Sequence, residues 1–345
     1  MAELFFLLSG ENETMPAAEL KAILEAEGFA FEVKERLDQL VRLVADQNSV
    51  DVIHRRSALT RTCGFELFAC EAEEAAIMKA ANSVNFGGFL GEGESFAVRV
   101  RRVKEYSEKI RSVPLEGKLG KYILNSTTGT RVNLNKPNKT FFGVLTSGKL
   151  IFGLKLAEMQ TLTFSERRPR KKPFFHPSAM PSKLARCMVN LSRAKSGELV
   201  FDPFCGTGSA MIEAAFVGCR VLGFDVQRRM AEGTRKNLRY FGVEAEGVVI
   251  ADSRRLPLVG VDRVVTDPPY GKSATTLKST TKEIVEGVLS SALDLLGMGQ
   301  LICIASPKSL GISNIGENLG YRHLESHFAY VHGTLTREIA VFEKV

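Results

Sequence analysis

The chain has 345 residues, 44% hydrophobic and 25% charged, the balance of an ordinary globular protein with length for two or three domains. No apolar run approaches the roughly 18–20 residues of a membrane span, which excludes a transmembrane helix. The cysteines at 63, 70, 187, 205, 219 and 303 form no Cys-x-x-Cys pair, which argues against a zinc finger or a disulfide framework and for reduced thiols in a cytoplasmic protein with no metal site.

The net charge of +7 is unevenly spread. Residues 1–98 hold 8 basic and 17 acidic side chains, residues 99–175 hold 18 and 5, and residues 176–345 hold 20 and 17. A basic middle segment suits a polyanionic partner, because each neutralised phosphate releases condensed counterions. An ordinary solvated surface would look the same by charge alone.

In chain order, residues 1–10 are apolar with an acid, Glu3, where a signal peptide would be basic, and are predicted as a strand. Residues 16–27 predict a helix, with Pro16 near its start and Gly28 just past its end. A second helix is expected near 71–81. Strands follow at 95–103 and 141–150. In the first, Phe96, Val98 and Val100 share one face, while Arg99 and Arg101 share the other. Gly148-Lys149 falls where a hairpin turn would lie before the apolar run 150–154.

Residues 166–173 read ERRPRKKP, with no apolar side chain, and predict an exposed linker. Beyond it the pattern becomes β–α alternation, with strands at 198–204, 220–225, 247–252, 263–267 and 300–306 and further strands at the C-terminal end. These runs are short and apolar on both faces, which predicts a parallel sheet covered by helices.

The strongest local signal is LVFDPFCGTG at 199–208, a strand running into a glycine-rich turn and then a helix. Gly206 and Gly208 let backbone approach a ligand beside Cys205, and the helix N-terminus faces it. There is no Gly-Lys-Ser/Thr, so this is not a P-loop, and Met211 stands where the dinucleotide fingerprint has its third glycine. Asp202 is suited to accept from a ligand ammonium. Asp225, at the tip of the next strand, is placed for ribose hydroxyls, and Asp252, after the third, for an adenine amino group.

After the fourth strand comes Asp267-Pro268-Pro269-Tyr270-Gly271. Consecutive prolines fix an extended backbone and remove two N–H donors. The Asp267 carboxylate and the Pro268 carbonyl can then accept both hydrogens of an –NH₂ group, with the Tyr270 ring as a stacking surface. An exocyclic base amine is a poor nucleophile, so positioning is what a catalyst must supply. A base held in a duplex would have to be flipped out.

Asp202–Gly208 together with Asp267–Tyr270 resembles the class I, Rossmann-like, S-adenosylmethionine-dependent amino-methyltransferases. Residues 167–191 resemble the entry to the catalytic domain of the archaeal and eukaryotic enzymes that methylate guanine N2 at position ten of transfer RNA. The resemblance implies an α/β fold with an N-terminal α+β ferredoxin-like domain at 1–50, a THUMP RNA-binding domain at 51–155, a basic linker at 156–175 and a class I methyltransferase domain at 176–345. It implies that Phe175, His176 and Pro177 wall the cofactor pocket, although His176 also reads as a structural histidine. Candidate phosphate contacts are Arg99, Arg101, Arg102 and Lys104, with Arg167, Arg168, Arg170, Lys171 and Lys172.

In that topology the third strand, 247–250, is an edge, and Gly247-Val248-Val249-Ile250 carries neither lysine nor proline. The related enzymes use a small zinc-binding activator subunit that docks there, so the resemblance implies a heterodimer. Two other readings remain open from sequence: a DNA or RNA adenine-N6 or cytosine-N4 methyltransferase, since Asp-Pro-Pro-Tyr also serves those amines, and a catalytically silent RNA-binding subunit.

Overall fold

The computed structural model describes residues 1–159, 161–253, 258–269, 280–332 and 335–345. In chain order its elements are β1 (Ala2–Leu8), α1 (Met15–Ala26), β2 (Phe31–Leu37), β3 (Leu40–Ala45), α2 (Ser49–Arg56), β4 (Thr60–Glu71), α3 (Glu74–Asn82), β5 (Ser95–Arg102), α4 (Ser112–Asn125), β6 (Arg131–Val132), β7 (Lys139–Thr146) and β8 (Lys149–Glu158). There follow α5 (Thr161–Glu166), α6 (Ser182–Leu191), β9 (Leu199–Asp202), α7 (Ser209–Ala215), β10 (Arg220–Asp225), α8 (Arg228–Tyr240), β11 (Gly247–Ile250), β12 (Arg263–Thr266), α9 (Thr281–Leu295), β13 (Leu301–Pro307), α10 (Ile312–Asn318), β14 (Tyr321–His332) and β15 (Leu335–Lys344). Among the described residues no helix is long and apolar enough to cross a membrane. The chain forms two compact units: Met1–Glu13, Phe29–Arg55 and Thr60–Met159 make the first, and Thr14–Gly28, Arg56–Leu59 and Gln160–Val345 the second.

The first unit is built on an eight-stranded sheet in the order β2-β3-β1-β4-β8-β7-β5-β6. Strands from both sides of residue 50 share it, so the division expected there does not coincide with a break in the sheet. Phe96, Val98 and Val100 of β5 are buried with Ile77 of α3 and Leu115, Leu119 and Ile123 of α4. The alternation read from the sequence holds for Arg101, which is exposed. The β7–β8 hairpin turns at Ser147 (φ 50°) and Gly148 (φ 78°), one residue earlier than expected. Two successive positive φ values match the right-handed twist of the flanking strands.

The second unit is a seven-stranded sheet in the order β11-β10-β9-β12-β13-β15-β14. The first five strands are parallel, β15 pairs antiparallel with β13, and β14 pairs antiparallel with β15. Alternate residues face opposite cores. Val200, Val265, Cys303 and Val341 pack with Ala185, Met188 and Val189 of α6, Met211 and Ile212 of α7, and Leu238 of α8. Phe201, Val264, Ile302, Ile304 and Phe342 pack with Val285, Val288 and Leu289 of α9 and Ile312 of α10. The doubly apolar strands are thus explained by helices on both faces. The connection leaves β9 toward β10 on one side and resumes at β12 on the other, so a crevice opens beyond the carboxyl ends of β9 and β12.

Helix α1 belongs to this second unit, although it lies within the segment expected to form a separate N-terminal domain. Its Glu19 is fully buried and accepts from Ser57 Oγ at 2.7 Å, the Ala58 and Leu59 amides at 2.9 Å each, and Asn190 Nδ2 of α6 at 2.8 Å. A buried carboxylate with four donors is satisfied rather than stranded.

Candidate active site

The loop between β9 and α7 is held by its own backbone and by α8. The Cys205 amide donates to the Phe224 carbonyl at 2.8 Å, and the Gly206 amide donates to Asp225 Oδ2 at 3.1 Å. Thr234 Oγ1 donates to the Gly206 carbonyl at 2.7 Å, and Asn237 Nδ2 to the Thr207 carbonyl at 2.9 Å. Gly208 has φ 78°, and a Cβ there would lie 3.0 Å from Thr234 Cγ2, so the tight approach of α8 and the backbone angle both call for glycine.

Asn237 is also the clamp on the segment before the domain. Its Oδ1 accepts from the Phe174 amide and its Nδ2 donates to the Phe174 carbonyl, each at 2.9 Å. The Phe174 ring sits where a Cβ on Gly233 would come within 2.1 Å of its Cδ1. This fixes the stretch that carries Phe175, His176 and Pro177. Phe175 is 40% exposed, Pro177 is exposed, and His176 is half-buried with Nδ1 2.7 Å from Ser178 Oγ. His176 lies near enough to Asp225 to favour its charged form. Neither Asn237 nor Thr234 was singled out from the sequence, because a polar residue on a helix face carries no local sign of its partner.

Asp202 and Asp225 gather at the crevice near Asp267. Asp202, ending β9, is buried, and its Oδ1 accepts from the Phe204 amide at 3.1 Å and Thr266 Oγ1 at 2.8 Å. Burial pushes its carboxyl up to about 7, and the nearby Asp267 and Asp225 add to that. Asp225, ending β10, accepts from the Gln227 amide at 2.9 Å as well as from Gly206, and burial raises it too. Such a concentration of buried negative charge fits a cationic ligand. Asp252 is half-buried, two residues beyond the end of β11. The Cys205 thiol is buried and pushed well up by desolvation, which makes it a poor nucleophile.

Asp267 directly follows β12, and Pro268 behind it is buried. Asp267 Oδ2 lies 3.1 Å from Arg337 Nη2 of β15, with both side chains 13% exposed. Arg337 went unnoticed in the sequence, 70 positions away in an unremarkable strand. Tyr270 and Gly271 lie outside the described residues.

The basic residues expected to hold phosphates divide. Arg167 turns inward: its Nε lies 2.8 Å from Glu213 Oε1, and its guanidinium sits over the rings of Phe164 and Phe216 at 4.8 and 5.0 Å. Lys172 is buried and donates to Ser209 Oγ at 2.7 Å, and desolvation pulls its ammonium down to about 8. Neither is presented to solvent, which corrects the reading of 166–173 as exposed throughout. Arg168, Arg170 and Lys171 are exposed. In the first unit Arg102 donates to the Tyr106 and Ile110 carbonyls, Arg99 donates to the Leu134 carbonyl at 2.6 Å, and Lys104 pairs with Asp38 at 2.5 Å.

Strand β11 is an edge of its sheet, as expected, and its Val249 and Ile250 are 39% and 46% exposed.

The profile of the RMKL-like methyltransferase domain matches residues 169–337, and a DNA methylase profile matches residues 98–236. The second match stops short of Asp267. The chain is 37% identical to the tRNA (guanine(10)-N2)-dimethyltransferase of Methanothermobacter thermautotrophicus, over 99% of this chain and 100% of the relative. It is 30% identical to the enzyme of the same name from Methanocaldococcus jannaschii, over 99% of each. Among solved structures, TrmN from Thermus thermophilus aligns over 99% of this chain and 100% of its own, with a TM-score of 0.56 at 21% identity, a likeness of fold.

Proposed function

The chain belongs to the tRNA (guanine(10)-N2)-dimethyltransferase family, and from that premise we propose that it methylates the exocyclic N2 of guanosine ten in tRNA, twice, with S-adenosylmethionine as donor. The observation that carries this reading is the convergence of Asp202, Asp225 and Asp267 at the carboxyl ends of neighbouring strands. S-adenosylmethionine supplies a methyl group on a sulfonium, which leaves as a neutral thioether. Asp202, ionised by a cationic partner, accepts from the ammonium; Asp225 accepts from ribose hydroxyls and Asp252 from the adenine amine. Gly206 and Gly208 admit the ligand, and Phe175, His176, Pro177 and Cys205 wall it.

The flipped guanine presents its amine to Asp267. In the first transfer the Asp267 carboxylate accepts one N–H and the Pro268 carbonyl the other, and in the second Asp267 accepts the one N–H that remains, which each time turns the nitrogen lone pair toward the methyl carbon. Tyr270 stacks on the base. The N2 lone pair forms the new N–C bond as the C–S bond breaks, and the surplus proton on N2 passes to water.

In this reading the ferredoxin-like and THUMP portions, 1–50 and 51–155, hold the tRNA, with Arg99, Arg101, Arg102 and Lys104 in the first unit and Arg168, Arg170 and Lys171 in the second contributing to phosphate binding. The exposed edge of β11 takes a small zinc-binding activator protein, and the enzyme works in the cytoplasm. The test is methyl transfer from labelled donor into unmodified tRNA, with nucleosides identified after digestion and Asp267→Ala as control. N2,N2-dimethylguanosine, preceded by the monomethyl form and absent with the variant, is expected. N6-methyladenosine would overturn the base assignment, and donor binding without product, even with the activator, would mark a silent RNA-binding subunit.

A further inference from the structure

We infer that Arg337 is the positioning residue for Asp267, holding the carboxylate charged and oriented so that it accepts a hydrogen from the substrate amine throughout the reaction. This rests on the reading of Asp267 as the amine acceptor. Asp267 follows β12, whereas Arg337 lies on β15, and β13 runs between them. Arg337 stands opposite Pro307, at the carboxyl end of β13. The backbones are thus two strand spacings apart, roughly 10 Å, and the two side chains together bridge that distance, meeting at 3.1 Å. Exposure of 13% for both side chains limits screening of the pair by solvent.

The chemistry of the crevice gives the pair its purpose. Asp202 from β9 and Asp225 from β10 face the same end of the sheet, and the charges of Asp202 and Asp267 already disfavour each other. His176 bears on Asp225. Neighbouring like charges drive one carboxyl toward protonation. A protonated Asp267 would offer the amine a donor in place of an acceptor and would misdirect the nitrogen lone pair. A guanidinium on Oδ2 opposes that. The proton left on N2 after methyl transfer goes to water, and Asp267, still paired with Arg337, accepts again in the second transfer.

The experiment compares the full-length parent with Arg337→Gln, Arg337→Lys and Asp267→Asn. Single-turnover methyl transfer to tRNA at saturating donor is followed between pH 5.5 and 8.5, with donor affinity and melting temperature measured alongside. For Arg337→Gln a rate loss of about 10- to 100-fold is expected, with the acid limb of the pH profile moved upward by about one unit or more. Donor affinity and melting should stay near the parent's. Arg337→Lys should restore the acid limb but only part of the rate, since its charge lacks the planar fork. An unmoved acid limb in Arg337→Gln, at any rate, would overturn the proposal, as would equal losses in the glutamine and lysine variants. If Arg337→Gln fails to fold, the lysine variant decides by the same limb: parental limb with reduced rate supports the proposal, and a parental rate overturns it. An active Asp267→Asn would instead remove the reading of Asp267 on which the proposal stands.

Discussion

Asn237 closes a pair of hydrogen bonds on the backbone of Phe174, donating to its carbonyl and accepting from its amide, both at 2.9 Å. The same carboxamide donates to the Thr207 carbonyl in the turn between β9 and α7. One buried side chain thus ties the segment before the domain to the loop that would cradle the donor. Asn237→Ala leaves these backbone groups without that partner, at a cost of about 1–3 kcal/mol. Thermal melting should fall by about 2–4 °C per kcal/mol, and donor affinity, measured by calorimetry, should fall several-fold. Parental affinity in a folded variant would show that the clamp does not shape the pocket.

Asp202 gives a pH signature. Its folded carboxyl stands at about 7 against an ordinary 3.8, so the ligand-free fold binds more protons than the unfolded chain between those values. By linkage the free protein loses stability as pH rises through that window. Asp202→Asn should therefore melt higher than the parent at pH 8 without ligand. Donor binding, which needs the ionised form, should weaken as pH falls below about 7, with proton release on binding seen as a buffer-dependent heat. Absence of both effects would place the donor ammonium elsewhere.

The basic segment should respond unevenly to mutation. Arg168→Glu, Arg170→Glu and Lys171→Glu together should weaken tRNA binding and flatten the salt dependence by about 0.7–0.9 in slope for each phosphate that is no longer neutralised. Lys172→Met should leave that slope unchanged. Its folded ammonium lies at about 8 against 10.5, so the parent gains stability as pH rises from about 8 to 10.5 and the variant should lack this gain. A flattened slope in Lys172→Met would return the lysine to the RNA-binding surface.

The β11 edge predicts a partner effect separable from folding. Val249→Lys and Ile250→Lys, at half-exposed positions, should leave the isolated chain's melting within about 0.5 kcal/mol of the parent's stability. Co-purification of a small zinc-binding subunit should be abolished, together with any activity that depends on it. A chain that is monomeric and fully active alone would remove this partner.

The sequence by itself determined the β–α alternation, the glycine turn at 202–208 and the position of Asp267 and Pro268 directly after the fourth strand of that alternation. Each is written in contiguous residues whose backbone demands are local: an apolar run for a doubly covered strand, glycine for a positive φ, paired prolines for an extended carbonyl-rich stretch. The edge position of β11 followed from the order of the strands.

What only the tertiary structure decided are the partners of polar side chains far apart in the chain. Glu19 meets Asn190 across 171 positions, Phe174 meets Asn237 across 63, and Arg167 meets Glu213 across 46. Arg167 and Lys172 sit in a run with no apolar residue, and such a run reads as solvated throughout; both turn inward because Glu213 and Ser209 await them on α7. Arg337 likewise becomes more than a strand arginine only once β13 sets β15 two spacings from β12. A charged or polar group takes its meaning from what lies within a few ångströms, and that neighbourhood exists only after the sheet has assembled.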